Sequence, residues 1–194
     1  ARIADWLRAT GRAGAWRNEQ LGVVSVEAGR RLATVERAVV RNLGLHTHSV
    51  QLHARSVGDR CWLQQRSFDK ATDPGRWDTL SAGLVSADES VMTALHRETW
   101  EEAGIRVDEA LRMLRACGTF TVRRPVTDSG AHGYLVETVH AFDAVLVEGQ
   151  SPSNRDGEVI AFETFSDAEI DTMVRSEQLT LEAAVTIVLS RAKT

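Results

Sequence analysis

The most informative stretch of the 194-residue chain runs from Gly83 to Ile105 and reads GLVSADESVMTALHRETWEEAGI. It contains no Gly or Pro over residues 89–103, and every fourth position carries an aliphatic or β-branched residue: Val91, Leu95 and Thr99. This spacing is typical of one face of a helix, and Gly104 is a common residue just after a helix end. The pattern therefore predicts a helix over 89–103 that ends at Gly104.

Three glutamates of this helix, Glu98, Glu101 and Glu102, stand at positions i, i+3 and i+4. At 100° per residue, Glu98 and Glu102 continue the stripe of Leu95 and point inward. Carboxylates some 4 to 6 Å apart repel by roughly 3 to 4 kcal/mol at an effective dielectric constant near 20, so they need compensation. A divalent cation with oxygen ligands, Mg²⁺ or Mn²⁺, satisfies all three and favours a phosphate-bearing substrate. A solvated acidic face is the alternative that the helix alone leaves open.

The same stretch resembles the Nudix box: Gly, five residues, Glu, seven residues, Arg-Glu, an aliphatic, any residue, Glu-Glu, any residue, Gly, an aliphatic. The residues in register are Gly83, Glu89, Arg97, Glu98, Glu101, Glu102, Gly104 and Ile105. Seven fixed letters agree by chance about once in 10⁸ start positions. Two positions depart from the usual pattern: Thr99 replaces an aliphatic residue, and Ala82 precedes Gly83 where many relatives have a second glycine.

The resemblance implies a pyrophosphohydrolase that cleaves phosphoric anhydrides with Mg²⁺ as cofactor, or Mn²⁺ in its place. It assigns the metal ligands to Glu98, Glu101, Glu102 and the carbonyl group of Gly83. Arg97 is expected to hold the carboxylates in position. Glu89 is expected to support the loop before the helix rather than to take part in the chemistry.

Such a reaction also needs a general base within hydrogen-bond reach of the attacking water. Glu98 is the first candidate within the box, and Glu102 is the next. Similar proteins often recruit a further acid from a distant loop, and the segment Asp156-Gly157-Glu158-Val159 offers Glu158. Glu163 and Glu137 are weaker candidates, and an ordinary loop carboxylate is the alternative interpretation of Glu158.

Strands alternate with helices along the rest of the chain, which predicts an α/β layered fold. The predicted strands cover residues 21–26, 31–35, 50–55, 61–66, 77–80, 118–124, 134–147 and 159–165, with a turn at 27–29 and another at 128–133. Further helices are predicted over 3–12, 167–176 and 181–192. We therefore expect a small N-terminal helix and hairpin over 1–42 and a second domain over 43–194. The resemblance makes that second domain a mixed β-sheet sandwiched between helices.

Beyond the box, the chain is similar to the Nudix group related to thiamine pyrophosphokinase-associated proteins. This implies a small-molecule diphosphate as partner, either a nucleoside diphosphate derivative or one like thiamine diphosphate. Arg66 and Arg76 are candidates to bind its phosphates. Trp77 could stack on its ring, although a single Trp in a strand is more often part of the core.

Net charge, apolar runs and cysteine content limit the partners and the cellular location that we expect for this protein. The formal net charge is −4, so we expect no nucleic-acid polymer as partner. No run of 18 apolar residues and no signal peptide is evident, which predicts a cytoplasmic protein without a membrane partner. Cys61 and Cys117 are expected to be buried thiols. Similar proteins are commonly dimers, so a homodimer stays open.

Two rival functions keep the same fold. Isopentenyl diphosphate isomerases use a cysteine just ahead of the box glycine, where this chain has Ala82. Ligand-sensing Nudix domains bind nucleotides without cleaving them, but they commonly have eroded boxes, whereas the glutamates here are intact.

Overall fold

The computed structural model describes residues 2–25, 29–128 and 131–192. The helices are α1 (Arg2–Ala9), α2 (Val91–Ala103), α3 (Val107–Ala110), α4 (Asp167–Arg175) and α5 (Leu181–Arg191), with one 3₁₀ turn at Arg37–Val39. The strands are β1 (Gln20–Val24), β2 (Arg31–Glu36), β3 (His46–Arg55), β4 (Cys61–Arg66), β5 (Trp77–Asp78), β6 (Ser81–Leu84), β7 (Leu111–Asp128), β8 (Ala131–Leu146) and β9 (Val159–Phe165).

Seven of the strands form one mixed sheet with β3 near its centre. The main order is β5-β4-β3-β8-β7, while β6 pairs with β3 and β9 pairs with β4. Strand β3 runs parallel to β8 over its whole length, from His46 opposite Val136 to Arg55 opposite Val145. The pairing of β3 with β6 is antiparallel and sets Gly83 opposite Val50. The segment before α2 is thereby fixed to the centre of the sheet.

Helices cover both faces of this sheet. On one face, Val50 and Leu52 of β3 pack against Leu95 of α2 in the largest apolar cluster. On the other face, Leu63 of β4 packs in a cluster with residues of the last two helices, including Ile187. The α/β layered arrangement with a mixed sheet between helices is confirmed.

Helix α2 is limited by side-chain chemistry at both ends. The Ser90 side chain accepts a hydrogen bond from the Thr93 backbone N–H, and Gly104 follows the last turn with a φ of 65°. Both are standard helix caps. The predicted end is confirmed, whereas the predicted start at Glu89 is wrong by two residues because Ser90 caps the helix.

Residues 2–25 and 29–45, which we call the N-terminal unit, carry α1 and the two-stranded sheet β1–β2. An apolar cluster that includes Leu7, Leu21 and Val39 fills this unit, and Leu84 at the end of β6 belongs to the same cluster. The predicted hairpin is confirmed in its strands, since Leu21 pairs with Val35. Val26, at the end of the first predicted strand, and Glu27 and Ala28 of the predicted turn over 27–29 lie outside the described residues.

Strands β3, β7 and β8 are longer than predicted, and β3 begins at His46 instead of residue 50. β7 and β8 reach 18 and 16 residues and pair from Leu111 opposite Leu146 to Asp128 opposite Ala131. The predicted turn over 128–133 is therefore largely strand, and its centre, residues 129–130, lies outside the described residues. None of the described helices has the length and apolar character needed to cross a membrane.

Candidate active site

A cavity of about 260 Å³ opens beside the C-terminal half of α2. Its wall combines residues of α2, of strands β3, β4, β6, β7 and β8, of the loops at 67–76 and 151–158, and of the N-terminal unit. Ten carboxylates and six cationic side chains line it, a formal excess of four negative charges. An anionic substrate entering such a cavity requires compensating cations.

Glu98 and Glu102 face this cavity and are 9% and 3% exposed. Burial raises the pKa of Glu98 to about 7, although Arg97 opposes the rise. Burial raises the pKa of Glu102 to about 8, and the charge of Glu98 adds to this. The side chain of Glu101 is 48% exposed at the rim. The predicted inward direction of Glu98 and Glu102 is thus observed.

Arg97 holds these acids together from one side. Its guanidinium forms a two-pronged pair with Glu89, with Nε–Oε1 at 2.7 Å and Nη2–Oε2 at 2.9 Å. Its Nη1 donates to Glu98 at 2.7 Å and to Glu101 at 3.0 Å, and its Nη2 donates to the carbonyl of Leu84 at 3.0 Å. Arg97 therefore fixes both the glutamates and the strand end, as expected of a positioning residue.

Glu89 supports this arrangement rather than facing the cavity. Besides Arg97, it accepts a hydrogen bond from the backbone N–H of Ser86 at 3.2 Å. The hydrogen bond from Arg97 lowers the pKa of Glu89, so this carboxylate is ionised near neutral pH. These contacts connect the loop before α2 to the helix itself, and the supporting role of Glu89 stays a prediction.

Gly83 lies where no side chain fits. A Cβ atom at this position would overlap the carboxylate of Glu98. The backbone of β6 therefore approaches the Glu98 carboxylate closely. That the Gly83 carbonyl and the Glu98 carboxylate serve one ligand stays a prediction.

The donor set suits a hard divalent cation, because it consists of carboxylates and a backbone carbonyl. The space kept free of a Cβ at Gly83 and the negative excess of the cavity support the same assignment. Within the described part of the chain, no three acidic, His or Cys groups have already converged on one point.

Glu158 lines the same cavity, 56 residues after Glu102 in the chain. It forms an ion pair with Lys70. Burial alone would raise the pKa of Glu158, but Lys70 outweighs it and the pKa is lowered. This leaves an ionised carboxylate at the cavity.

The two weaker candidates for the general base lie in different places. Glu137 lines the cavity and accepts a hydrogen bond from the Ser49 hydroxyl at 2.8 Å, whereas Glu163 is exposed elsewhere on β9.

Of the three predicted substrate-binding residues, Arg66 lines the cavity, whereas Arg76 and Trp77 are not among the described residues that do. Arg66 lines the cavity, and its Nη1 lies 3.3 Å from Asp78. Trp77 instead packs edge-on against Phe165, with 5.0 Å between ring centroids. Arg76 donates to the carbonyl of Leu179 at 3.1 Å. These two residues belong to other parts of the fold: Trp77 packs in the apolar cluster with Phe165, and Arg76 binds the segment just before α5.

The structure adds residues that the sequence did not indicate. Glu102 accepts hydrogen bonds from the Gln64 side chain at 2.8 Å and from the Ala82 backbone N–H at 2.9 Å. Arg37 and Arg41 of the N-terminal unit also line the cavity. Their helical i, i+4 spacing was the one signal available, and it does not indicate which surface the pair faces.

Both cysteines are buried, as predicted. Burial raises the pKa of the Cys61 thiol to about 11. Neither Cys61 nor Cys117 is among the described residues that line the cavity. Ala82 does line it, at the position before Gly83.

Comparisons with known proteins agree with this geometry. The model of the NUDIX domain matches residues 46–184. Nudix hydrolase 24, chloroplastic, of Arabidopsis thaliana is 30% identical over 145 residues, which are 73% of this chain and 38% of that protein. An isopentenyl-diphosphate Delta-isomerase of Cutibacterium acnes is 30% identical over 103 residues, which are 53% of this chain and 50% of the isomerase. The chain thus spans half or less of each relative's length.

Among solved structures, the DR0079 protein of Deinococcus radiodurans superposes with a TM-score of 0.67 at 17% identity. The match covers 89% of this chain and 98% of that protein. At this identity the likeness concerns the fold.

Proposed function

Because the chain belongs to the NUDIX domain family, we propose that it is a metal-dependent hydrolase that cleaves the diphosphate linkage of a small organic diphosphate. One observation carries the proposal. Glu98 and Glu102 are nearly buried, have raised pKa values and face one cavity, next to a strand whose Gly83 leaves room for them. Burying two acids in one cavity lowers the stability of the fold, so such a pair is expected mainly where a function requires it.

Glu98, Glu101, Glu102 and the Gly83 carbonyl would hold Mg²⁺, or Mn²⁺ in its place. The bound cation supplies charge neutralisation at the phosphates and a lowered pKa for water. Arg97 keeps Glu98 and Glu101 oriented through the hydrogen bonds given above. Gln64 and the Ala82 N–H keep Glu102 in one orientation.

The reaction itself is a transfer of a phosphoryl group to water. The water oxygen bonds to one phosphorus, the bond from that phosphorus to the bridging oxygen breaks, and the water proton passes to a carboxylate. Glu98 and Glu158 are the candidate general bases, since both line the cavity. Lys70, paired with Glu158, is placed to stabilise negative charge on the phosphate oxygens.

For the organic half, we propose a substrate like thiamine diphosphate. The resemblance of the chain beyond the box supports it. So does the cavity wall, which includes the buried Asp78, the partly buried Glu182 and also Glu137. Acidic side chains there would favour an organic group that is positively charged or rich in hydrogen-bond donors.

The division into residues 1–42 and 43–194 is likewise a proposal. The start of the matched model at residue 46 supports it, and so does the apolar cluster of the N-terminal unit, whose buried members, apart from Leu84, come from residues 1–42.

The test measures phosphate or monophosphate release from a panel of diphosphates, including thiamine diphosphate and isopentenyl diphosphate, with Mg²⁺. We expect the wild-type chain to cleave at least one and Glu102→Gln to lose at least about 100-fold in kcat. Glu109→Gln serves as the control, since this side chain is 74% exposed. Equal activity of wild type and Glu102→Gln, or inactivity of the wild type on every diphosphate, would contradict the proposal. Isomerised isopentenyl diphosphate without hydrolysis would favour the rival isomerase.

A further inference from the structure

Two of the six cationic side chains around the cavity, Arg37 and Arg41, come from outside the matched residues 46–184. We propose that these two arginines bind the phosphate groups of the diphosphate, so that the N-terminal unit completes the active site. This inference rests on the proposed function, and it assigns to the N-terminal unit a part in substrate recognition.

The local backbone presents both arginines on one side. The 3₁₀ turn at Arg37–Val39 continues in helical turns, with Val40 N–H bonded to the Arg37 carbonyl and Gly44 N–H bonded to the Arg41 carbonyl. In such a 3₁₀ backbone residues three apart, rather than four, share a face. What places both arginines on one side is that each of them lines the cavity. Val39 and Val40 between them are 0% and 4% exposed in the core of the N-terminal unit. The two guanidinium groups therefore extend to the side away from that core, which is the cavity.

Arg37 is fixed at the junction between the N-terminal unit and the box. Its Nη1 lies 2.7 Å from Glu19, which also accepts a hydrogen bond from the Ser86 hydroxyl at 2.9 Å. Burial alone would lower the pKa of Arg37, but Glu19 and, more weakly, Glu98 and Glu158 raise it. Arg37 is thus close enough to interact electrostatically with Glu98 and with Glu158, the two candidate general bases.

Arg41 is held through both its side chain and its backbone. Its Nη1 donates to the Thr72 hydroxyl at 2.9 Å, and its backbone carbonyl accepts from the Tyr134 N–H at 2.8 Å. Gly133 permits this approach, because a Cβ there would come within 2.6 Å of the Arg41 carbonyl oxygen. The side chain is therefore held at the mouth formed by the 67–76 loop and β8.

The cationic groups are concentrated in one part of the wall. Arg37, Arg41, Arg66 and Lys70 also line an adjoining cavity of about 90 Å³. Guanidinium groups bind phosphate with two parallel hydrogen bonds and are always charged. A bound diphosphate would thus meet cations on its outer oxygens while the glutamates of α2 bind the metal.

The test compares alanine and lysine variants at both positions under saturating Mg²⁺. For Arg37→Ala and Arg41→Ala we expect KM to rise about tenfold and kcat to change less than about threefold. In the lysine variants we expect a KM between those of the alanine variants and the wild type, because lysine keeps the positive charge but cannot form two parallel hydrogen bonds to a phosphate. Arg31→Ala is the matched control: it removes an arginine of the same unit that pairs with the exposed Asp88 outside the cavity. Its KM should equal that of the wild type.

A binding arm separates this inference from the proposed function. Calorimetry with methylenediphosphonate and Mg²⁺ needs no turnover, and we expect Kd to weaken about tenfold in both alanine variants. Where an alanine variant unfolds, Arg37→Gln or Arg41→Gln replaces it and keeps most of the side-chain volume. A wild-type chain that binds the probe through these arginines but cleaves no diphosphate contradicts the proposed function alone. Folded variants with unchanged KM and unchanged Kd overturn the inference.

Discussion

Among single residues, Glu98 and Glu102 contribute strongly to the dependence of stability on pH. Their folded-state pKa values, about 7 and about 8, lie above the ordinary value of 4.5. Between these limits the folded chain binds more protons at these two groups than the unfolded chain does, so the stability that they contribute falls as pH rises. Their contribution is fully present below pH 4.5 and is lost by about pH 8.

Burial lowers the pKa of His53 to about 4, so His53 contributes with the opposite sign between about pH 4 and 6.5. For Glu102 we therefore consider the difference between wild type and Glu102→Gln in the free energy of unfolding, measured by denaturant titration in EDTA. This difference should fall by a few kcal/mol between pH 4.5 and about pH 8. Glu102→Gln should flatten the slope because the amide does not titrate. Glu109→Gln should keep it, since that side chain is 74% exposed. A slope that is identical in wild type and Glu102→Gln would mean that Glu102 does not titrate in the folded state as described.

Gly83 gives a second prediction for a single residue. In Gly83→Ala the new methyl group displaces the Glu98 carboxylate. We expect at least about tenfold weaker Mn²⁺ binding by calorimetry and a stability loss of about 1 to 3 kcal/mol. Gly58→Ala is the matched control, because the nearest atom to its Cβ is 3.9 Å away. If Gly83→Ala binds Mn²⁺ as the wild type does, the close approach does not matter to the metal site.

Thr99 shows how a departure from the box pattern is accommodated. Its hydroxyl donates to the Leu95 carbonyl at 2.6 Å and lies 2.9 Å from the Ser81 hydroxyl. The residue is completely buried, so a polar atom there needs these partners. The pair Ser81 and Thr99 thus joins α2 to β6 with a hydrogen bond where an aliphatic side chain would contribute packing alone.

Among the elements, α2 carries the site and its first turn is capped by a single side chain. Ser90→Ala removes the hydrogen bond to the Thr93 N–H, and we expect a loss of about 1 kcal/mol in the free energy of unfolding. Ser166→Ala at the start of α4 is the comparison; it should cost at least as much, because Ser166 and Glu169 form a complete capping box. An unchanged stability of Ser90→Ala would show that the cap is dispensable.

The sequence predicted those elements whose signal is local. Strands β4 and β9 were predicted with the bounds that the structure has, and the end of α2 was marked by Gly104. Strand β6 was missed because Ser81, Ala82 and Gly83 are weak strand formers. It becomes a strand through its pairing with β3, a contact distant in the chain.

The same limit applies to the site. The glutamates of α2 could be predicted because they lie within five residues on one helix, where periodicity fixes their direction. Arg37, Arg41 and Gln64 could not, since they reach the cavity through tertiary packing of distant segments. Trp77 shows the reverse case: an aromatic residue near the box in sequence packs away from the site.

For the whole molecule, the contacts between the N-terminal unit and the matched domain decide whether they unfold together. Leu84 lies in the apolar cluster of the N-terminal unit, and the Ala87 N–H donates to the Gln20 carbonyl at 2.8 Å. The Tyr134 N–H donates to the Arg41 carbonyl, and Glu19 joins Arg37 to Ser86. Apolar burial and hydrogen bonds thus cross the junction at several points, which favours a single cooperative transition.

Val39→Ala tests this coupling, because Val39 is completely buried between the two arginines. We expect the free energy of unfolding to fall by about 1 to 3 kcal/mol. We also expect the amide hydrogens of β2 and of α2 to lose the same amount of free energy of protection against hydrogen exchange. Val24→Ala is the control, since Val24 is 38% exposed, and it should change stability by less than about 0.5 kcal/mol. If Val39→Ala weakens protection in β2 while α2 keeps its wild-type protection, the N-terminal unit opens independently. The cavity wall that carries Arg37 and Arg41 would then be separable from the metal-binding helix.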